Sequence, residues 1–193
     1  IDGFVLKPFN VKTLAAVVGE RIEAARALAD AGGVEEGTEL LTPALLTTRL
    51  TDEIHHAQVS GDPLTFGLVT LRTLTGLPGQ AGQDAAGWLI REIAAQARTM
   101  LPEEFAMARS GNDELAVVAP TALPLQAARV LEHVLDELRG PRTLPGGESV
   151  QVEPVAGLAG YPQHAGDADG LFMAADAALS DAIDTRRPVA VAL

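Results

Sequence analysis

The chain has no cysteine, few aromatic residues (4%) and too few cations to balance its acids. The missing cysteines exclude a disulfide scaffold, thiolate metal sites and a cysteine nucleophile, and they fit a reducing compartment. With 14 Lys+Arg against 26 Asp+Glu in 193 residues, the formal net charge of −12 opposes phosphate backbones and anionic lipid. No basic patch is visible along the sequence to offset it, so neither nucleic acid nor a membrane surface is an expected partner. No run approaches the roughly 18 apolar residues that span a bilayer, and the N-terminus lacks the charged-then-apolar layout of a secretory signal. A cytoplasmic protein is expected. The 47% of hydrophobic residues, mostly Ala, Leu and Val, suffice for the core of one good-sized domain with an appendage.

The first nine residues, Ile1 to Phe9, read as a short apolar strand stopped by Lys7-Pro8, because proline holds the residue before it in extended geometry. From Val11 to about Ala31 there is no proline, and Val11, Ala15, Val18, Ile22, Ala25 and Ala29 recur at a 4-3 spacing. That spacing predicts a helix with a weak, alanine-rich seam, either a dimeric coiled coil or a helix lying on its own domain. Gly32-Gly33 ends it, and Val34-Glu35-Glu36-Gly37 reads as a hinge.

After the hinge, the pattern predicts a helix from about Pro43 to Gln58, a strand from Leu64 to Leu71, and a Gly/Pro-rich loop over Gly76–Gly82. A helix over about Asp84–Met100 follows. Phe105–Arg109 and Leu115–Val118 flank Ser110-Gly111-Asn112-Asp113-Glu114, whose residues tolerate the positive φ of tight turns, so they form a β-hairpin. A helix over about Leu125–Arg139, a long strand over Val150–Ala159, a helix over about Ala168–Ile183 and a strand over Val189–Leu193 complete the chain. This order predicts an α+β class: a mixed, mostly antiparallel sheet flanked by helices, with an N-terminal linker helix.

The hairpin Arg109-Ser110-Gly111-Asn112-Asp113-Glu114-Leu115-Ala116-Val117-Val118 resembles the signature hairpin of GGDEF domains, the diguanylate cyclase family, in a degenerate form. Ala175-Asp176-Ala177-Ala178-Leu179-Ser180-Asp181-Ala182-Ile183 is similar to the family's last helix. The resemblance covers roughly residues 39–193 and implies a ferredoxin-like, nucleotide-cyclase-like fold. Upstream, Asp2–Phe9 resembles the final strand and Lys-Pro turn of a response-regulator receiver domain, with Lys7 and Pro8 at the matching positions. This implies the end of a receiver at 1–10, its last helix and a linker at 11–38, and a phosphorelay with an upstream histidine kinase acting on the whole receiver.

A diguanylate cyclase condenses two GTP molecules into cyclic di-guanylate with divalent ions that offset phosphate charge. By resemblance, Asp113 matches the hairpin metal ligand and Glu114 the acid after it. Thr70 stands where the family has its first-strand metal-binding Asp, and Arg72 at the next acidic position. A unit positive charge about 4–5 Å from a divalent ion costs several kcal/mol at an effective dielectric of roughly 20, comparable to micromolar binding. Arg72 is therefore expected to pair with Asp113 or Glu114 in place of the ion, and no cofactor is expected, Mg²⁺ entering only if the domain is active after all. Trp88 occupies the position of a guanine-binding acid, Ile183 that of a phosphate-binding Lys, and Asn112 that of the second hairpin glycine. Arg187 matches a family Arg and is a possible phosphate contact.

Each of these residues has a plainer reading. Asp113 and Glu114 can be solvated turn acids, Arg187 a surface cation near a helix C-terminus, and Trp88 a core residue. Asp52-Glu53 with His55-His56 lack a further ligand for a metal. Asp167-Ala168-Asp169-Gly170 resembles the start of a calcium loop, but Ala178 stands where an EF-hand needs Glu. The sequence thus predicts a catalytically inactive GGDEF-like output domain with vestigial hairpin residues Gly111, Asn112, Asp113, Glu114 and Leu115, no catalytic residue, and a protein partner or self-association through the linker helix. The alternatives are a sensor of GTP or cyclic di-guanylate without turnover, and an active cyclase with unusual ligands.

Overall fold

Leu64–Leu71, the strand β1, is apolar at nearly every position, as a strand covered on both faces must be. The computed structural model describes residues 40–72, 79–111 and 113–193, together with Gly33, and places β1 at the centre of its main sheet. The receiver strand with Lys7 and Pro8, the 11–31 helix and Asn112 lie outside the described residues.

In chain order the elements are α1 (Pro43–Ser60), β1, α2 (Gly79–Met100), β2 (Ala106–Arg109), β3 (Glu114–Pro120), α3 (Pro124–Leu138), β4 (Gly140–Thr143), β5 (Ser149–Val152), β6 (Pro154–Tyr161), α4 (Ala168–Thr185) and β7 (Val189–Val191). The main sheet runs β2-β3-β1-β6-β7, antiparallel except for the β6–β7 pair, and β4–β5 forms a separate hairpin. This is the expected α+β architecture, a mixed sheet flanked by helices.

Alternation along β1 sorts its side chains between two cores. Leu64, Phe66 and Leu68 pack with Leu46, Leu50 and Ile54 of α1 and with Leu171, Ala175 and Leu179 of α4. Val69 and Leu71 face the other way, against Leu89, Ile90 and Ile93 of α2 and Leu131, Val134 and Leu135 of α3. Local signals set the helix ends. Pro43 opens α1 behind the N-cap Thr42, and Gly61 closes it at φ 79°. Asp167 caps α4, accepting the Gly170 N–H at 2.8 Å, so the calcium-loop likeness is a helix cap.

Two expected boundaries change. The strand expected over Val150–Ala159 is two: β5 pairs with β4, which the sequence pattern does not reveal, and β6 starts afresh at Pro154. Proline has no N–H to donate, which suits the first residue of a strand and breaks a continuous ladder. The second helix begins at Gly79 rather than Asp84. Its glycines each cost about 1 kcal/mol of helix propensity but keep their N–H groups, and the deeply buried Leu89, Ile90 and Ile93 anchor the helix they precede.

Candidate functional site

The end of β1 meets the hairpin. Thr70 lies directly opposite Glu114 across the β1–β3 ladder, which sets the two side chains on one face. The Leu71 N–H donates to the Asp113 carbonyl at 3.0 Å, tying the strand end to the turn. The turn is closed by Ser110 and Gly111, whose N–H groups both donate to the Glu114 carbonyl (3.0 and 3.1 Å), while Leu115 is buried behind it. Glu114 thus stands opposite Thr70, with Asp113 tied by its carbonyl to the next residue of β1.

Glu114 is more than a solvated turn acid. Burial pushes its carboxyl up; a hydrogen bond with the Ser110 side chain pulls it back, and Asp176 of α4 and neighbouring Asp113 raise it further. A carboxyl raised in the fold binds more protons folded than unfolded. It therefore costs stability as pH rises from the ordinary value of 4.5 through the raised one. Glu114→Gln is expected to gain stability relative to wild type across that window, read as a growing difference in urea midpoint, and an unchanged difference would refute the assignment.

Topology builds a second feature at the same sheet end. Because β1 runs antiparallel to β6 and β6 parallel to β7, the end of β1, the start of β6 and the start of β7 share one edge. There Arg72, Arg139, Arg186 and Arg187 line a cleft of about 410 Å³ with Glu153 and the apolar Pro154, Val155 and Pro188. The absence of a basic patch along the sequence is thus corrected by the fold, which gathers arginines far apart in the chain. Arg139 and Arg186 lie at the C-terminal ends of α3 and α4, where cations complement the helix dipole. Arg186 takes a left-handed conformation (φ 56°) at the α4 C-cap. Arg187 is held by hydrogen bonds from its guanidinium to Asp181 and, at 3.0 Å, to Thr185 Oγ1. The charges acting on Glu114 are Asp176 and Asp113.

The remaining positions are packed or locally satisfied. Trp88 is half-buried on α2 against the second core, and Ile183 is partly buried against the first. Glu53 is buried on α1 and pairs with Arg49 at 2.7 Å, with His56 at 3.9 Å. Among the described residues no group of three or more His, Asp or Glu side chains is placed to hold a metal ion. The donors at the end of β1 do not fit the divalent ion that the resemblance implies: Thr70 offers a neutral hydroxyl beside Glu114, and Arg72 follows two residues on. No helix among the described residues is long and apolar enough to cross a membrane.

Comparison with known proteins agrees with the fold. The chain is 28% identical over 143 residues to diguanylate cyclase TpbB of Pseudomonas aeruginosa, a match that covers 74% of this chain and 33% of the relative. The chain therefore spans about a third of that protein's length. The crystal structure of the TpbB GGDEF domain superposes with a TM-score of 0.73 at 27% identity, covering 81% of this chain and 98% of that one. A sensory box/GGDEF family protein from Caulobacter crescentus gives 0.69 at 27% identity, over 79% and 99% of the two chains. The family model described as "Diguanylate cyclase, GGDEF domain" matches residues 35–188, and the chain belongs to that family.

Proposed function

We propose that this GGDEF domain is an output and interaction module that does not make cyclic di-guanylate. The reading is supported by the end of β1, where Thr70 faces Glu114 and Arg72 lines an arginine cleft. A cyclase needs carboxylates there to hold the ions that neutralise triphosphate charge. A cation at that position takes over the role of countercharge but cannot lower the pKa of an attacking hydroxyl as a coordinated ion does.

The receiver-like residues 1–10 and the linker 11–38 supply the input in this reading. Phosphorylation of a whole receiver by a histidine kinase changes its self-association, the helix passes the change on, and a protein partner reads the GGDEF surface. Incubating the chain with GTP and Mg²⁺ or Mn²⁺ is expected to yield no cyclic di-guanylate by chromatography. Turnover that disappears in Asp113→Ala would overturn the proposal and establish an active cyclase.

A further inference from the structure

We infer that His164 is a proton-operated fastener of the turn between β6 and α4: as a neutral imidazole it closes the turn, and once protonated it releases it.

Gly160 is where a fastener is needed. Along β6, Ala156 and Leu158 turn their backbone groups toward β7. The Ala156 N–H donates to the Pro188 carbonyl and the Ala192 N–H to the Leu158 carbonyl, both at 2.8 Å. Gly160 is the next residue in that series, and β7, which pairs as far as Leu158, does not reach it. Its outward N–H and C=O are therefore left without a ladder partner, and backbone groups at a sheet edge need one. His164 supplies both. Its ring Nδ1 accepts the Gly160 N–H at 2.8 Å, and its own N–H donates to the Gly160 carbonyl at 2.8 Å. A residue four positions along thus takes the place of the strand that is missing there, and it closes the turn that leads to Asp167, the N-cap of α4. That helix in turn carries Asp176, which acts on Glu114.

The chemistry of this bond makes it sensitive to protons. Nδ1 accepts only while it carries no hydrogen, so the bond selects the neutral ring with its hydrogen on Nε2. Protonation sets a second N–H against that of Gly160. At the other end of the ring, Nε2 is buried and has no acceptor among the described residues. A cation here is stabilised at neither nitrogen. Burial accordingly holds the imidazole below the ordinary histidine value of 6.5.

No neighbouring charge offsets this. The ionisable groups of the adjoining elements are Asp62 before β1, Tyr161 at the end of β6, and Asp167 and Asp169 at the start of α4. Pro124 of α3 covers Gly160, but α3 has no ionisable side chain before Arg129, and β7 has none. Burial is the one influence acting on the imidazole, and Asp167 is engaged with the Gly170 N–H. The open turn therefore takes up a proton at the ordinary value and the closed turn only below it. Acid favours the open turn, by up to about tenfold for each pH unit below the ordinary value until the closed turn is protonated too.

A merely structural cap works as well with an amide as with an imidazole, and titration separates the two. Hydrogen exchange of the 193-residue chain is to be followed by NMR between pH 7.5 and pH 5. Protection of the Gly160 amide, taken relative to the Ala156 amide of the same strand, is expected to fall about tenfold or more over that range. Ring-nitrogen shifts at pH 7.5 should place the hydrogen on Nε2. In His164→Asn, Oδ1 occupies the same place along the side chain as Nδ1 but does not titrate, so relative protection should stay constant. His164→Ala should show low protection throughout; if that variant fails to fold, the comparison with His164→Asn decides alone. Constant relative protection in the wild type, an equal fall in His164→Asn, or a hydrogen on Nδ1 at pH 7.5 overturns the inference. None of these outcomes bears on the non-cyclase reading.

Discussion

Gly157→Ala should destabilise the domain by about 3 kcal/mol or more, a large share of the 5–15 kcal/mol that holds a domain of this kind together. Gly157 lies in β6 under α4, and a Cβ built there falls 2.1 Å from the Leu179 nitrogen and 2.3 Å from the Ala175 carbonyl oxygen. Both are backbone atoms of a helix, so no rotamer change relieves the contact. The whole helix must rise by about 1 Å, a gap that forfeits a quarter to a half of each affected dispersion contact. The loss falls on Leu171, Ala175, Ala178, Leu179 and Ala182, all buried against the sheet. Alanines at 175, 178 and 182 explain why α4 comes so close: with small side chains on the helix and glycine on the strand beneath it, helix and strand backbones nearly touch. Gly67→Ala is the matched control. Its Cβ meets the Leu158 Cδ2 at 2.4 Å, the far end of a side chain that can turn away. A urea midpoint that drops sharply for Gly157→Ala and only modestly for Gly67→Ala supports this account; equal effects would sink it.

That contact also shows what the sequence makes legible. The apolar run Leu64–Leu71 behind Gly61-Asp62-Pro63 places β1 to the residue, because turn chemistry and hydrophobic continuity agree there. Glu114 stands opposite Thr70, since register follows from where a two-stranded turn begins. The β4 strand, Gly140-Pro141-Arg142-Thr143, is illegible: it is short, contains proline and has no apolar alternation. It is held by partners distant in sequence, with Arg142 donating to the Gln96 side chain at 3.2 Å. The arginine cleft is hidden for a similar reason. Arg187, next to Arg186, reads locally as a surface cation and Arg72 as a cation in place of a site acid, and only the antiparallel β1–β6 and parallel β6–β7 pairings bring them to one edge with Arg139.

Replacing Thr70 and Arg72 together by Asp should create Mg²⁺ binding, raising affinity at least a hundredfold over wild type. Arg72 follows Thr70 by two residues, just past the end of β1, and at about 6–7 Å a cation repels a divalent ion by about 5 kcal/mol at an effective dielectric of roughly 20. Arg72 is exposed, so screening reduces this figure, yet even a third of it is a factor of ten in affinity. Removing the cation lifts that repulsion, and the new carboxylate at 70 adds attraction beside Glu114 and Asp113. The same change is unfavourable without metal. A carboxylate at 70 lies directly opposite Glu114, whose ionisation is already opposed by burial and by Asp176 and Asp113, and like charges facing each other across a ladder destabilise it. The double variant should therefore melt below wild type in EDTA and recover as MgCl₂ is added, whereas the wild-type melting temperature should stay nearly constant. Arg72→Ala alone should show a small part of the gain, since it removes the repulsion without supplying a ligand. A wild-type chain that Mg²⁺ stabilises as strongly as the double variant would mean that Thr70 and Arg72 do not exclude the ion. The non-cyclase reading would then lose its physical basis, because the acids at Asp113 and Glu114 would suffice to hold the metal despite the cation beside them.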